Sequence, residues 1–220
     1  APFDEVNPND SPGEILKAAE MGIERVNSIR RAVGEGITVL VDCHSRFTAE
    51  TARHVAEKLE SVSIGWFEEP LSPNDHSCLL ADVVKQVSMP VAGGESGYGK
   101  FFFDALLSSG SVEIVMPDIK YCGGVSESVK IGRSALSMGG RVSLHSPSGP
   151  ISLLASAHSA AAVECSMALE HAVSEADWRS EVIEPAEVIR DGNIYLPKGL
   201  GLGAVLNRKL LVEKGEYFSV

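Results

Sequence analysis

Apolar positions along the chain alternate between two periods. A polar opening, "APFDEVNPND", leads into a stretch from Pro12 to Val33 whose apolar residues recur at helical spacing, and the run "ITVLVDC" then reads as a strand. "TAETARHVAEKLES" follows, with Ala52, Val55, Ala56 and Leu59 on one helical face. The same exchange continues through the strand "SIGWFEE", the helix "HSCLLADVVKQV", the strand "MPVAGGE" and the helix "KFFFDALLSSG". After these come the strand "VEIVMPD", a helix from Val125 to Met138, the strand "RVSLHS", the small-residue helix "ISLLASAHSAAAV" and a last short strand, "SMALE". Strands that alternate with helices build a parallel sheet covered by helices.

The pattern contains six strands and repeats about every 25 residues, with no Gly-x-Gly-x-x-Gly after the first strand. That regularity favours an α/β fold of the TIM type, a (β/α)8 barrel, over an open doubly wound sheet. Six strands do not close such a barrel, so the expectation is strands 3–8, with two more upstream of Ala1. Residues 1–172 are expected to form this partial barrel. Residues 173–220, with "RDGNIYLPKGLGLG", form a loop and strand segment that packs on it or on another domain.

With 220 residues, 44% of them hydrophobic, the chain can bury a large core. A net charge of −11 argues against nucleic acid or an anionic membrane as partner, but not against an anionic substrate bound through a cation. The four cysteines, Cys43, Cys78, Cys122 and Cys165, have neither CxxC nor metal-finger spacing, which suits reduced thiols in a cytoplasmic protein. No signal peptide is visible, and no apolar run is long enough to span a bilayer. The start in a polar turn without methionine suggests a piece of a longer polypeptide.

Chemistry gathers at the strand ends, where barrels of this type place their active sites. Three strands finish in an acid, Asp42, Glu68 and Glu95, spaced 26 and 27 residues apart, one βα unit each. Any one of these acids alone is better read as a helix N-cap or a solvated loop charge. Three that converge need a cation between them, and oxygen-only ligands select a hard ion such as Mg2+. The next strands end in Asp118 and His145, again 27 residues apart. A carboxylate beside an imidazole fixes its tautomer and raises its basicity, which makes His145 a general acid/base candidate rather than a packed core histidine. Glu170 ends the last strand, either facing a substrate oxygen or as a surface acid.

The motifs "VDCH", "WFEEP", "GGESGYG", "MPDIKYCGG" and "SLHSPSG" together resemble successive strand ends of the enolase superfamily, mandelate racemase subgroup. That resemblance implies an N-terminal α+β capping domain and a modified barrel. It also implies a Mg2+ ion on Asp42, Glu68 and Glu95, an Asp118–His145 dyad, and Glu170 near an enolate oxygen. A second catalytic base of the family, a lysine ending the preceding strand, belongs upstream of Ala1.

The Asp-x-His pair of Asp42 and His44, and "HSPSGP", resemble the acid-sugar dehydratases of the subgroup. On an extended strand Asp42 and His44 would face the same way, and His44 would either protonate a departing β-hydroxyl or only hydrogen-bond substrate or loop. Arg46 is a candidate for a sugar-acid carboxylate or an exposed ion pair. Lys120 is a candidate for lining the pocket or for neutralising the acids.

The reading is a Mg-dependent hydro-lyase acting on a small sugar acid, with a homo-oligomer expected. A racemase or epimerase is the alternative within the family, and a barrel that only binds is the alternative outside it. One further motif competes. Gly94, Gly99 and Lys100 satisfy the spacing of a phosphate-binding loop, yet Phe101 stands where Ser or Thr should be, and Glu95 adds an anion.

Overall fold

The computed structural model describes residues 1–74, 77–163 and 167–214. Its centre is a five-stranded parallel sheet of β1 (Val41–Asp42), β2 (Phe67–Glu68), β3 (Val91–Gly93), β4 (Ile114–Val115) and β5 (Arg141–Val142). Each strand pairs with the next one in sequence, so the order never reverses as it would in a doubly wound sheet. Helices separate the strands: α1 (Pro12–Val33), α2 (Ala49–Leu59), α3 (Ser77–Val84), α4 (Lys100–Ser108), α5 (Val125–Ser137) and α6 (Pro150–Val163).

The helices form where periodicity and end signals coincide. Ser11 and Glu14 make a capping box ahead of Pro12, and Gly34, at φ 69°, ends α1. Thr48 accepts the Thr51 N–H at the start of α2, and Ala52, Val55, Ala56 and Leu59 are all buried. At Gly132 a Cβ would lie 2.5 Å from Val163, so glycine there permits the close approach of α5 and α6.

Backbone pairing reaches beyond the assigned strand residues. Gly65 N–H donates to Val39, Val41 to Trp66, and Cys43 to Glu68, which carries β1 and β2 in register to the carboxylate level. The opening segment is pinned to this end of the sheet by aromatics. Phe3 packs against Gly22, where a Cβ would fall 2.1 Å from its ring, and meets Phe47 edge-on at 4.9 Å.

Three expectations change. Among the described residues the sheet has five strands rather than six. Met167–Glu170 of "SMALE" is not a strand, and Ser166 lies outside the described residues. The segment sits beside β5 through the Ser143 hydroxyl, which donates to the Ala168 carbonyl at 3.1 Å. Second, β1 does not run extended through His44: His44 (φ 49°) and Ser45 (φ 57°) both turn left-handed. Third, residues 173–214, expected as loop and strand, also hold a helix. They contain β6 (Ile183–Glu184) paired antiparallel with β9 (Val205–Leu206), a hairpin of β7 (Val188–Arg190) and β8 (Asn193–Tyr195), and α7 (Arg208–Lys214). Val182, Ile183 and Leu210 bury themselves against Leu154 of α6. Cys43 and Cys122 are buried free thiols and Cys78 an exposed one, while Cys165 and His76 lie outside the described residues. No helix among the described residues is long and apolar enough to cross a membrane.

Candidate active site

Parallel pairing sets Asp42 and Glu68 opposite each other as register partners of β1 and β2. Together with Glu170, Trp66, Leu40, Met116, Ser143, Ala168 and Leu169 they line a cavity of about 300 Å3. A larger apolar cavity, about 520 Å3, lies between α6 and the β6–β9 pair; no carboxylate lines it.

Glu68 is buried, and the Trp66 indole N–H donates to its Oε2 at 2.9 Å, as their shared strand face allows. Burial first, then the charges of Asp42, Glu170 and Glu95, push the Glu68 carboxyl up to about 8 against the pull of Trp66. Glu95 follows Gly94 (φ 102°) just past β3, and its carboxyl is also raised, by burial and by Glu69 and Asp42.

The second glutamate of the doublet has a different task. Glu69 is buried with φ 37°, and its Oε1 accepts the Gly94 N–H at 2.8 Å and the Glu95 N–H at 3.3 Å. Its Oε2 accepts the Ser45 hydroxyl at 2.8 Å, and its carbonyl accepts the Ser45 N–H at 2.7 Å. One side chain therefore holds both the loop that carries Glu95 and the turn that carries His44. This also disposes of the phosphate-loop alternative. Two of the loop's N–H groups are committed to Glu69, the Lys100 N–H to Glu127 at 3.0 Å, and the Lys100 ammonium to Asp104.

The left-handed turn still brings His44 to Asp42. Asp42 Oδ1 accepts the His44 N–H at 2.8 Å, an Asx turn, and His44 Nε2 lies 2.5 Å from Asp42 Oδ2. On its other side His44 Nδ1 lies 3.1 Å from Asp4 Oδ1, an acid for which the sequence offers no signal. Arg46 Nε approaches the same oxygen at 3.5 Å, and its Nη1 reaches the Val6 carbonyl at 3.4 Å.

Across the sheet end, His145 Nδ1 lies 2.8 Å from Asp118 Oδ2, and its Nε2 lies 3.2 Å from Glu95 Oε2. Asp118 is fully buried. Burial pushes its carboxyl up, but the bonds from His145 and the Lys120 N–H, with the Lys120 charge, leave it below its ordinary value. Burial pulls the imidazole down, yet Asp118, Glu95 and Glu170 hold His145 above its ordinary value. Lys120 Nζ stands 3.3 Å from Asp118 Oδ2 and donates to Ser148 Oγ at 2.6 Å. Glu170 Oε2 accepts the Ser146 N–H at 2.8 Å, directly after His145.

The donor set suits a hard cation: three carboxylates at consecutive strand ends, one with its carboxyl raised by burial and then by its acidic neighbours. Among the described residues, no group of three or more His, Cys, Asp or Glu side chains is arranged to hold a metal ion as it stands. His44 contacts Asp42, and His145 contacts Glu95, so two of the three acids lean on imidazoles.

Comparison with known proteins agrees with this geometry. The chain is 35% identical over 185 residues to a D-xylonate dehydratase of Haloferax volcanii, covering 84% of this chain and 45% of that protein. It is 34% identical over 187 residues to an arabinonate dehydratase of Saccharolobus solfataricus, covering 85% and 50%. The chain thus spans about half the length of the curated relatives it matches. Among solved structures, a mandelate racemase/muconate lactonizing enzyme-like protein from Rubrobacter xylanophilus superposes with a TM-score of 0.85 at 32% identity, over 94% of this chain and 52% of that one. A mandelate racemase/muconate lactonizing enzyme from Jannaschia sp. gives 0.82 at 27% identity, over 93% and 52%. The profile of the family described as enolase C-terminal domain-like matches residues 8–210, and the chain belongs to that family.

Proposed function

We propose that the protein carrying this chain is a Mg-dependent acid-sugar dehydratase, removing water from an aldonic or aldaric acid to give a 2-keto-3-deoxy acid. The observation that carries this reading is the pair of imidazoles flanking the acidic cavity. His145 is backed by Asp118, and His44 lies against Asp42. The D-xylonate and arabinonate dehydratases among its relatives support the same class.

Asp42, Glu68 and Glu95 would hold Mg2+, which supplies positive charge against the negative charge that develops on the substrate carboxylate. His145, oriented through Nδ1 by Asp118, takes the C2 proton on Nε2. The C3–O bond then breaks as His44 gives a proton to the departing hydroxyl, and the resulting enol tautomerises to the keto acid. Glu170, which lines the same cavity as Glu68, would face a substrate oxygen. Arg46 and the remaining donor of Lys120 are the cations offered to the rest of the acid. The reading extends to a cytoplasmic homo-oligomer with a small-molecule substrate, acting on neither nucleic acid nor membrane. It also assigns residues 1–172 to the catalytic barrel and 173–220 to a segment packed on it.

A panel of aldonic and aldaric acids, incubated with the intact protein and Mg2+, tests the proposal. Formation of a 2-keto acid supports it. Deuterium exchange or inversion at C2 without keto product would instead favour the racemase or epimerase.

A further inference from the structure

A polar path runs from the C-terminal segment to the Asp118–His145 pair, and none of the chemistry above uses its outer end. Arg179, in the turn Arg179–Glu181, has a side chain 13% exposed, and its guanidinium grips the partly buried Glu187 through two bonds, Nε to Oε2 at 3.2 Å and Nη2 to Oε1 at 3.1 Å. Nη1 donates to Glu175, and Nη2 also donates to the Ser148 carbonyl at 2.9 Å. Two carboxylates thus fix the fork, and the fork fixes the backbone of Ser148, three residues past His145. From there the path continues inward: the Ser148 hydroxyl accepts from Lys120 Nζ at 2.6 Å, Lys120 reaches Asp118 Oδ2 at 3.3 Å, and that same oxygen faces His145 Nδ1 at 2.8 Å.

Two donors therefore share one oxygen of a buried carboxylate. Lys120 thus touches the oxygen that meets the imidazole, Asp118 Oδ1 accepts the Lys120 N–H at 2.7 Å, and Ser148 is one of the groups that hold the ammonium, with the Tyr121 ring 5.2 Å from it. The turn from His145 to Pro150 has few other ties in its middle. Ser148 N–H closes on the Ser146 carbonyl at 2.8 Å, and Ser146 N–H is held by Glu170.

We infer that Arg179 is a positioning residue for the acid/base pair, acting through Ser148 and Lys120 to set the geometry of the His145–Asp118 hydrogen bond. The inference rests on His145 being the reacting base of the function proposed above, but its test does not. In the intact protein labelled with 15N-histidine, the His145 Nδ1–H resonance is assigned by its loss in His145→Gln. Arg179→Met, which keeps the length and loses the fork, and Ser148→Ala, which deletes one oxygen and keeps the carbonyl that Arg179 uses, should both move that resonance. Where the wild type turns over, kcat should fall about ten-fold in each with KM little changed, as misorientation of a reacting group predicts. A resonance that stays in place in either variant, whatever happens to the melting temperature, overturns the inference. If Arg179→Met does not fold, Ser148→Ala decides alone. A wild type that neither exchanges the α-proton nor dehydrates any sugar acid would refute the dehydratase reading, while the resonance still decides this one.

Discussion

Asp42 and Glu68 are direct register partners on neighbouring parallel strands, so two carboxylates are held side by side by backbone pairing rather than by any bond between them. Such a pair keeps its separation whether or not a cation is present. Its repulsion is met in part by burial-driven protonation of Glu68, whose carboxyl stands at about 8. Metal binding should therefore expel a proton near neutral pH. Calorimetric titration of the intact protein with Mg2+ in two buffers of different ionisation enthalpy should give different apparent heats. Glu68→Gln should bind at least about ten-fold more weakly, and with no buffer dependence. Binding that is unchanged in Glu68→Gln would sink the metal site.

The same carboxyl fixes a stability trend. A glutamate whose folded pKa is raised binds its proton more tightly in the folded state. Without Mg2+, stability therefore falls as pH rises from the unfolded value of 4.5 toward about 8 and levels off above it. For this one buried group the loss amounts to about 5 kcal/mol at most, on the order of 1.4 kcal/mol per unit. Denaturant midpoints for wild type and Glu68→Gln, each without Mg2+, should diverge across that window, with the variant falling less. Parallel curves would show that Glu68 is not held protonated.

His44 and His145 should separate the two bond-breaking steps. His44→Asn, which removes the proposed acid for the leaving hydroxyl, is expected to keep C2 proton exchange in deuterated solvent and to lose the 2-keto product by about 100-fold or more. His145→Gln should lose both together. If His44→Asn dehydrates at the wild-type rate, its place beside Asp42 is structural only.

Much of this site was legible because strand ends repeat. Asp42, Glu68 and Glu95 could be read from one βα period, and so could Asp118 and His145, because a barrel turns equal sequence spacing into adjacent positions. The turn at His44 was not legible. Two successive left-handed non-glycine residues leave no pattern, and here they are held by the Glu69 carbonyl and carboxylate from the next strand. Asp4 was hidden for a similar reason, since long-range contacts of the opening segment, Phe3 on Gly22 and Phe47 and Arg46 on the Val6 carbonyl, bring it beside His44. The β7–β8 hairpin lies in a segment read only coarsely as loop and strand, although it carries a sharper signal. Asp191 and Gly192, at φ 53° and 73°, form the Asp-Gly turn that joins two short strands. The sixth strand failed on pairing rather than on pattern, because an apolar alternation becomes a strand only where a neighbour completes its ladder.

The Asp118–His145 contact supports a last prediction, on catalysis. Asp118 is fully buried with its carboxyl held below the ordinary value, and its Oδ2 faces Nδ1 of His145, so in the proposed mechanism Nε2 is the atom that would meet substrate. Asp118→Asn preserves shape but presents an amide that can donate where the carboxylate only accepts, which favours the opposite tautomer and puts the proton on Nε2. The loss should fall on kcat by about 100- to 10,000-fold, the range found when an imidazole base loses its orienting carboxylate, with KM within a few-fold of wild type. Mg2+ affinity should stay near wild type, because Asp118 is not among the proposed ligands. A variant that lost metal and activity together would place Asp118 in the cation site instead of behind the base.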